Sequence, residues 1–197
     1  MAAPRQRRAD SSQRRADIAA AALRVLGEQG PRGLTHRAVD AAANLAPGAV
    51  NYHAPTRRRL LEMALDELFA QDMAVAARHF HPAAPTLADI ATDFVLELSH
   101  PDARFRVVAR HHLLAEARAD PALRGRFDTQ RAAFVRLVRD RAADGGHPLD
   151  PAAAELCVIL IDGLVHRQVF FDDSALSHNE IRALIRTTFR LADRQRQ

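Results

Sequence analysis

Residues 34–61 read LTHRAVDAAANLAPGAVNYHAPTRRRLL, and this stretch decides the fold. Thr35 is placed to cap a short helix reaching about Ala43, because its hydroxyl can accept an orphan N–H of the first turn. Asn44 then stands where a tight turn requires positive φ, a region Asn tolerates better than most non-glycine residues. Ala41, Ala42, Ala43 and Ala46 leave room for two helices to cross closely. Pro47 suits the first position of a second short helix, which the pattern carries to about His53. Pro55-Thr56 breaks and re-caps the chain, and a long helix follows to about His79 or Phe80. Upstream, Ile18, Ala22 and Leu26 recur at helical spacing, so a helix spans about residues 14–29 and stops at Gly30-Pro31. Three short helices within residues 14–53, with a tight middle turn, form a helix-turn-helix.

The rest of the 197 residues continues in the same style. Helices are predicted over about 86–99, 102–118, 121–145, 151–171 and 178–192, making nine in all with no convincing strand. Thr86, Asp120-Pro121 and Asp150-Pro151 are helix starts, and Ser177 to Glu180 is a capping box. The expected class is all-α: a basic flexible arm at 1–13, a helix-turn-helix domain at 14–55, and a helical body at 56–197. Charge divides along the same line. Residues 1–59 hold 11 Arg against four acids, net +7, whereas residues 60–197 hold 17 Arg against 20 acids, net −3. A basic head on a slightly acidic body suits a polyanionic partner. The single Cys157 excludes an intramolecular disulfide framework and a zinc ribbon. With neither a leader-like apolar segment nor a run long enough to span a bilayer, the expectation is a soluble, cytoplasmic chain.

Within the head, Gly48 lets backbone approach DNA, Asn51 can pair with a base edge, and Tyr52 offers a hydroxyl to a phosphate. Taken singly, Tyr52 could instead pack on the long helix, and Asn51 could be a solvated surface residue. Arg57, Arg58 and Arg59 occupy the first turn of the long helix, where each cation opposes the macrodipole at about 0.3–1 kcal/mol unless screened or paired. A phosphate at that helix end would reverse the sign; the alternative is three solvated arginines.

Residues 34–61 resemble the DNA-binding segment of the TetR family of bacterial transcriptional regulators. The preceding ADIAAAALRVLGEQGPRGLT is similar to that family's first helix and its G-x-x-x-L-T lead-in. The resemblance implies phosphate contacts from Thr35 and Arg37 and a recognition helix carrying Pro47, Gly48, Asn51, Tyr52 and His53. It also puts Arg57, beside Arg58, where the family usually has Lys. Three positions depart from the pattern. Asn44 replaces a turn glycine, Ala46 replaces the Ser/Thr cap of the recognition helix, and Ala54 replaces an aromatic, which implies looser packing between head and body.

For the body, the resemblance implies a helical shell around a small-molecule site, with the last two helices pairing across a homodimer. LCVILIDGLV, at 156–165, is apolar nearly all round, more than burial inside one subunit needs. Gly163 permits close crossing, and the face from Ile181 to Ala192 keeps i, i+3, i+4, i+7 spacing. The implied dimer residues are Leu156, Leu160, Gly163, Leu164, Ile181, Leu184, Ile185 and Phe189, in a four-helix bundle; a buried core helix in a monomer is the alternative. Ligand candidates are Phe69, Met73, Phe94, Phe105, His112, Phe134, His166 and Phe170. Phe80, His111, Glu116 and Arg167 are further candidates for the same site. HHLLAEARADPALR, at 111–124, also resembles a family stretch, which ties it to scaffold as much as to ligand.

Neither His79-x-His81 nor His111-His112 has the i, i+4 spacing of a helical metal pair. No P-loop, G-x-S-x-G or dinucleotide-binding glycine pattern is present. No metal, cofactor or catalytic residue is therefore expected. The implied function is a homodimeric repressor that leaves a pseudo-palindromic double-stranded DNA operator when a small-molecule effector binds. The alternatives are a regulator that needs a corepressor or no ligand, or a small-molecule enzyme with a vestigial head.

Overall fold

In the computed structural model, helix α1 runs Pro4–Gly33, so residues 4–13, expected as an arm, continue the helix instead. The cause is local. Pro4 has the fixed φ suited to a first helical turn, and no further Gly or Pro interrupts the chain before Gly27. Gly30 breaks α1 where the sequence indicated, at φ 72° and ψ −176°. The structure describes residues 4–79, 86–146, 148–171 and 175–194, with side chains left out for 4–10 and 189–194; Phe80 and His81 lie outside the described residues.

The remaining helices are α2 His36–Ala42, α3 Ala49–His53, α4 Arg57–His79, α5 Leu87–Ser99, α6 Arg104–Ala117, α7 Pro121–Asp144, α8 Pro151–Phe170 and α9 His178–Arg194. A 3-10 turn at Pro101–Ala103 precedes α6, and no strand occurs among the described residues. Most starts are set by capping oxygens that the sequence displays. Thr35 accepts from the Ala38 N–H at 3.2 Å, Thr86 from Asp89 at 3.1 Å, and Asp150 from Ala153 at 2.8 Å. Asp120 serves α7 in the same way, at 2.9 Å to Ala122. At α9 the capping box closes both ways: the Glu180 N–H reaches Ser177 Oγ at 3.4 Å, and the Ser177 N–H reaches Glu180 Oε2 at 2.9 Å.

The chain folds as two compact units, Met1–Gln71 with Val108–Leu123, and Asp72–Val107 with Arg124–Gln197. Each buries its own core. In the first, Ile18, Val25 and Leu26 of α1, Val39 of α2, Val50 of α3, Leu60, Leu65 and Leu68 of α4, and Leu113 of α6 are all shielded from solvent. In the second, α5, α8 and α9 pack on one another. They bury Phe94, Val95, Cys157, Ile161, Val165, Ile181 and Ile185. Among the described residues, no helix is long and apolar enough to cross a membrane.

Asp89 ties the start of α5 to α9. The Thr86 hydroxyl donates to it at 2.7 Å, and Arg182 pairs with it at 2.5 Å. The hydroxyl first, and then Arg182 working against the cost of burial, hold the Asp89 carboxyl below the ordinary carboxylate range. A lowered native pKa contributes stability that is full above the unfolded value of about 3.9 and is lost as pH falls through the native value. Urea midpoints measured from about pH 6 to pH 3 should therefore decline at the acid end. Asp89→Asn should flatten that decline, and an unchanged slope would show that the pair contributes nothing to acid sensitivity.

Candidate functional site

The recognition segment is held by a residue that sequence reading passed over. Asp40 of α2 is only 4% exposed. Its Oδ2 accepts the Gly48 N–H at 2.8 Å, its Oδ1 accepts the Val50 N–H at 2.9 Å, and its backbone carbonyl accepts the Leu45 N–H at 2.8 Å. Ala46 has no side-chain acceptor, so Asp40 supplies from the neighbouring helix the cap that position 46 lacks. The only signal in the sequence was an acid at a position facing other apolar residues, next to buried Val39. Asn44 takes the expected positive φ, 53°.

Pro47 does not begin the helix. The Ala49 N–H bonds the Ala46 carbonyl at 3.0 Å, and Gly48 sits at φ 89° and ψ −5°. Pro followed by Gly at such angles is the type II turn pattern, so α3 starts two residues later than expected. A Cβ at Gly48 would meet nothing within 4 Å. Glycine is needed there for its conformation, with no crowding inside the chain. At the other end of α3, Ala54 is fully buried. Its carbonyl lies 2.6 Å from His36 Nε2, which must donate because the carbonyl can only accept. This bond ties α3 back to α2 where an aromatic side chain was missed.

The face left open carries most of the predicted DNA-binding residues. Tyr52 is 86% exposed, which removes the alternative that it packs on the long helix. Its ring meets His53 edge-on, 5.0 Å between centroids. Pro47, Gly48, Asn51, Arg37 and Thr35 are also exposed. Thr35 spends a lone pair on its cap and keeps its O–H to donate. His53 is turned half inward, and its Nδ1 is enclosed with no hydrogen-bond partner among the described residues.

The arginines at the start of α4 are exposed, but each is paired with an acid. Arg57 pairs with Glu116 of α6 at 2.7 Å, Arg58 with Glu62 at 3.2 Å and Asp120 at 3.5 Å, and Arg59 with Glu62 at 2.9 Å. Arg59 first, and Arg58 after it, hold the Glu62 carboxyl below the usual range against a contribution from burial. The conflict with the helix macrodipole is thus compensated within the chain. Glu116, weighed above as a ligand-orienting group, faces Arg57 instead.

The ligand candidates divide between the units. Phe69 and His112 lie in the first, and Met73, Phe94, Phe105, Phe134, His166 and Phe170 in the second. Phe94 stacks on Phe134 at 5.3 Å and meets His79 edge-on at 6.4 Å. His166 lies 4.9 Å from Phe170, which is 41% exposed. His112 packs beside Gly30, where a Cβ would stand 3.7 Å from its Nε2.

The implied dimer residues divide by burial. Leu156, Gly163 and Leu184 are exposed and Leu160 is half-buried. Leu164, Ile181 and Ile185 are not available to a partner: at 5%, 0% and 0% exposure they belong to the subunit core. The periodic face of α9 is occupied by its own unit, chiefly α5 and α8. Phe189 lies in α9, with its side chain outside the described part. Ile159 is 53% exposed and lies in helical register with Leu156 and Gly163.

Replacing Asp40 with Ala should cost about 1–3 kcal/mol, since the buried Val50 N–H and the part-buried Gly48 N–H lose their acceptor. Amide exchange at Val50 should accelerate before global unfolding does. Asp40→Asn, which keeps one carbonyl oxygen, should fall between; protection unchanged in both variants would remove Asp40 as the cap.

Two family models match the chain, "Bacterial regulatory proteins, tetR family" over residues 18–64 and "Tetracyclin repressor-like, C-terminal domain" over residues 82–191. Among solved structures, a member of the TetR family from Streptomyces coelicolor A3 (SCO1917) is 28% identical, covering 89% of this chain and 97% of that one with a TM-score of 0.71. The multidrug binding protein EbrR complexed with malachite green is 26% identical, covering 88% and 96% with a TM-score of 0.67. The same protein complexed with proflavin is 29% identical, covering 89% and 99% with a TM-score of 0.61. No curated protein matches at a significant level.

Proposed function

The chain belongs to the TetR family of bacterial transcriptional regulators, and on that premise we propose a homodimeric repressor that leaves a pseudo-palindromic operator when a small molecule binds its body. In this reading residues 14–55 carry DNA binding, and residues 56–197 carry effector binding and dimerisation. The observation that carries it is Tyr52, 86% exposed on a five-residue helix whose backbone is held by a buried carboxylate. A large aromatic presented outward from a rigid support adds nothing to folding and suits contact with a partner. Thr35, Arg37, Asn51 and Arg57 supply donors around it for phosphates and base edges.

Release requires that the effector bind a DNA-incompetent arrangement better than the competent one. Moving that equilibrium from 1:99 to 99:1 takes about 5.5 kcal/mol of differential binding. The Phe-rich second unit and the dye-bound EbrR neighbours favour an aromatic small molecule as effector. For the dimer, the exposed stripe of Leu156, Ile159 and Gly163 on α8, with Leu184 of α9, is the apolar surface a second copy would cover.

Purified protein incubated with fragmented genomic DNA near physiological salt should retain a few fragments centred on imperfect palindromes. Tyr52→Ala should abolish those peaks, with affinity for a retained fragment down about tenfold or more and the unfolding transition unmoved. Featureless retention that vanishes with salt would leave only a basic surface and overturn the regulator reading. For the dimer, Ile159→Arg should shift sedimentation toward monomer without lowering subunit stability. Ile185→Ala should instead cost about 2–5 kcal/mol of stability as a core deletion. If Ile159→Arg sediments like wild type, the dimer face lies elsewhere.

A further inference from the structure

The Arg57 guanidinium is engaged in a way that bears on how it meets DNA. One nitrogen, Nη2, donates both to Glu116 Oε1 at 2.7 Å and to the Pro31 carbonyl at 3.3 Å. Nη2 has two hydrogens, so it is fully used. A guanidinium offers two forks for bidentate binding, Nε with Nη2 and Nη1 with Nη2, and both need Nη2. Arg57 therefore stands nearly half exposed, at 45% of its side chain, with both forks closed. Only single bonds from Nε or Nη1 remain open to a phosphate. The shorter and charged member of the pair of acceptors is Glu116, which lies on α6 and outside the helix-turn-helix sequence. Arg58 has a weaker arrangement of the same kind, with Asp120 at 3.5 Å.

We propose that Glu116 is an internal brake on DNA binding: it occupies the Arg57 fork in the free protein and competes with an operator phosphate for it. The proposal rests on the reading that Arg57 meets phosphate. Its consequence is that operator affinity is set partly by a carboxylate on α6. A change that withdraws Glu116 strengthens the DNA contact, and one that seats it more firmly weakens the contact.

The test is a titration of labelled mixed-sequence duplex DNA, from about 50 to 200 mM salt, against wild type, Glu116→Gln, Arg57→Ala and the double variant. Glu116→Gln should bind about fivefold tighter, the order of one exposed ion pair released. Its log affinity against log salt should steepen by about 0.9 for each phosphate gained. Arg57→Ala should bind more weakly than wild type, and the double variant should match Arg57→Ala, because without the arginine there is nothing to release. Glu116→Asp, which keeps the charge and shortens the reach, should tighten binding in the same direction and serves if the Gln variant does not fold. If Arg57→Ala weakens binding while Glu116→Gln and Glu116→Asp equal wild type or bind less well, the brake is overturned and the phosphate contact stands. If Arg57→Ala leaves affinity and salt slope unchanged, the phosphate contact itself is wrong and the brake goes with it.

Discussion

Asp40 lies in the interior with both carboxylate oxygens taken by amide N–H groups of the Gly48–Val50 segment, and the presentation of α3 follows from that bond. A helix of five residues has no stability of its own; nucleation alone costs more than so few hydrogen bonds return. Asp40 acts where the cost falls, on the unpaired N–H groups at the helix start. A buried charge is tolerated only when its lone pairs are satisfied, so burial and capping support one another here. With Val50 buried beneath α3 and His36 gripping the Ala54 carbonyl, both ends and the underside of the helix are fixed. Asn51 and Tyr52 are then free to face outward without the helix collapsing onto them.

What was legible in the sequence was what local chemistry decides. Thr35, Thr86, Asp120, Asp150 and the Ser177–Glu180 box are caps acting over two or three residues, and each makes the bond its position implies. Asn44 and Gly30 take positive φ for the same local reason. The cap of α3 reaches across eight and ten residues, and no local pattern encodes such a bond. Ala46 therefore looked like a missing cap, when the acceptor had moved to α2. Pro47 misled in a related way. Proline suits both the first turn of a helix and the second position of a type II turn, and the following glycine, which decides between them, was read only as an approach to DNA.

The α8–α9 region shows the limit of periodicity as a signal. A regular apolar stripe indicates that one face is buried and is silent about what covers it. Ile181 and Ile185 obey the spacing perfectly, yet their cover is the subunit itself. On α8 the apolar residues exceed what one face can hold. The surplus, Leu156, Ile159 and Phe170, is what remains exposed. An interface signal thus comes from apolar residues left over after the core is filled, and that subtraction requires the folded chain.

Charge makes the same distinction in a different form. Counted along the sequence, the first 59 residues are strongly basic at net +7. Counted over the compact unit that holds α1 to α3, which adds 60–71 and 108–123, the tally is 13 Arg against nine acids, net +4. The other unit carries the remaining 15 Arg against 15 acids, net zero. The whole excess of positive charge therefore lies in the unit that holds α1 to α3, the end from which steering toward a polyanion would act. The acids that reduce it from +7 include Glu62, Glu116 and Asp120, the partners of Arg57 to Arg59. These pairs relieve the clash between arginines and the α4 macrodipole in the absence of DNA. On the proposed reading, Arg57 opens a fork to a phosphate only by giving up Glu116, which makes the strength of DNA binding depend on where α6 holds that one carboxylate.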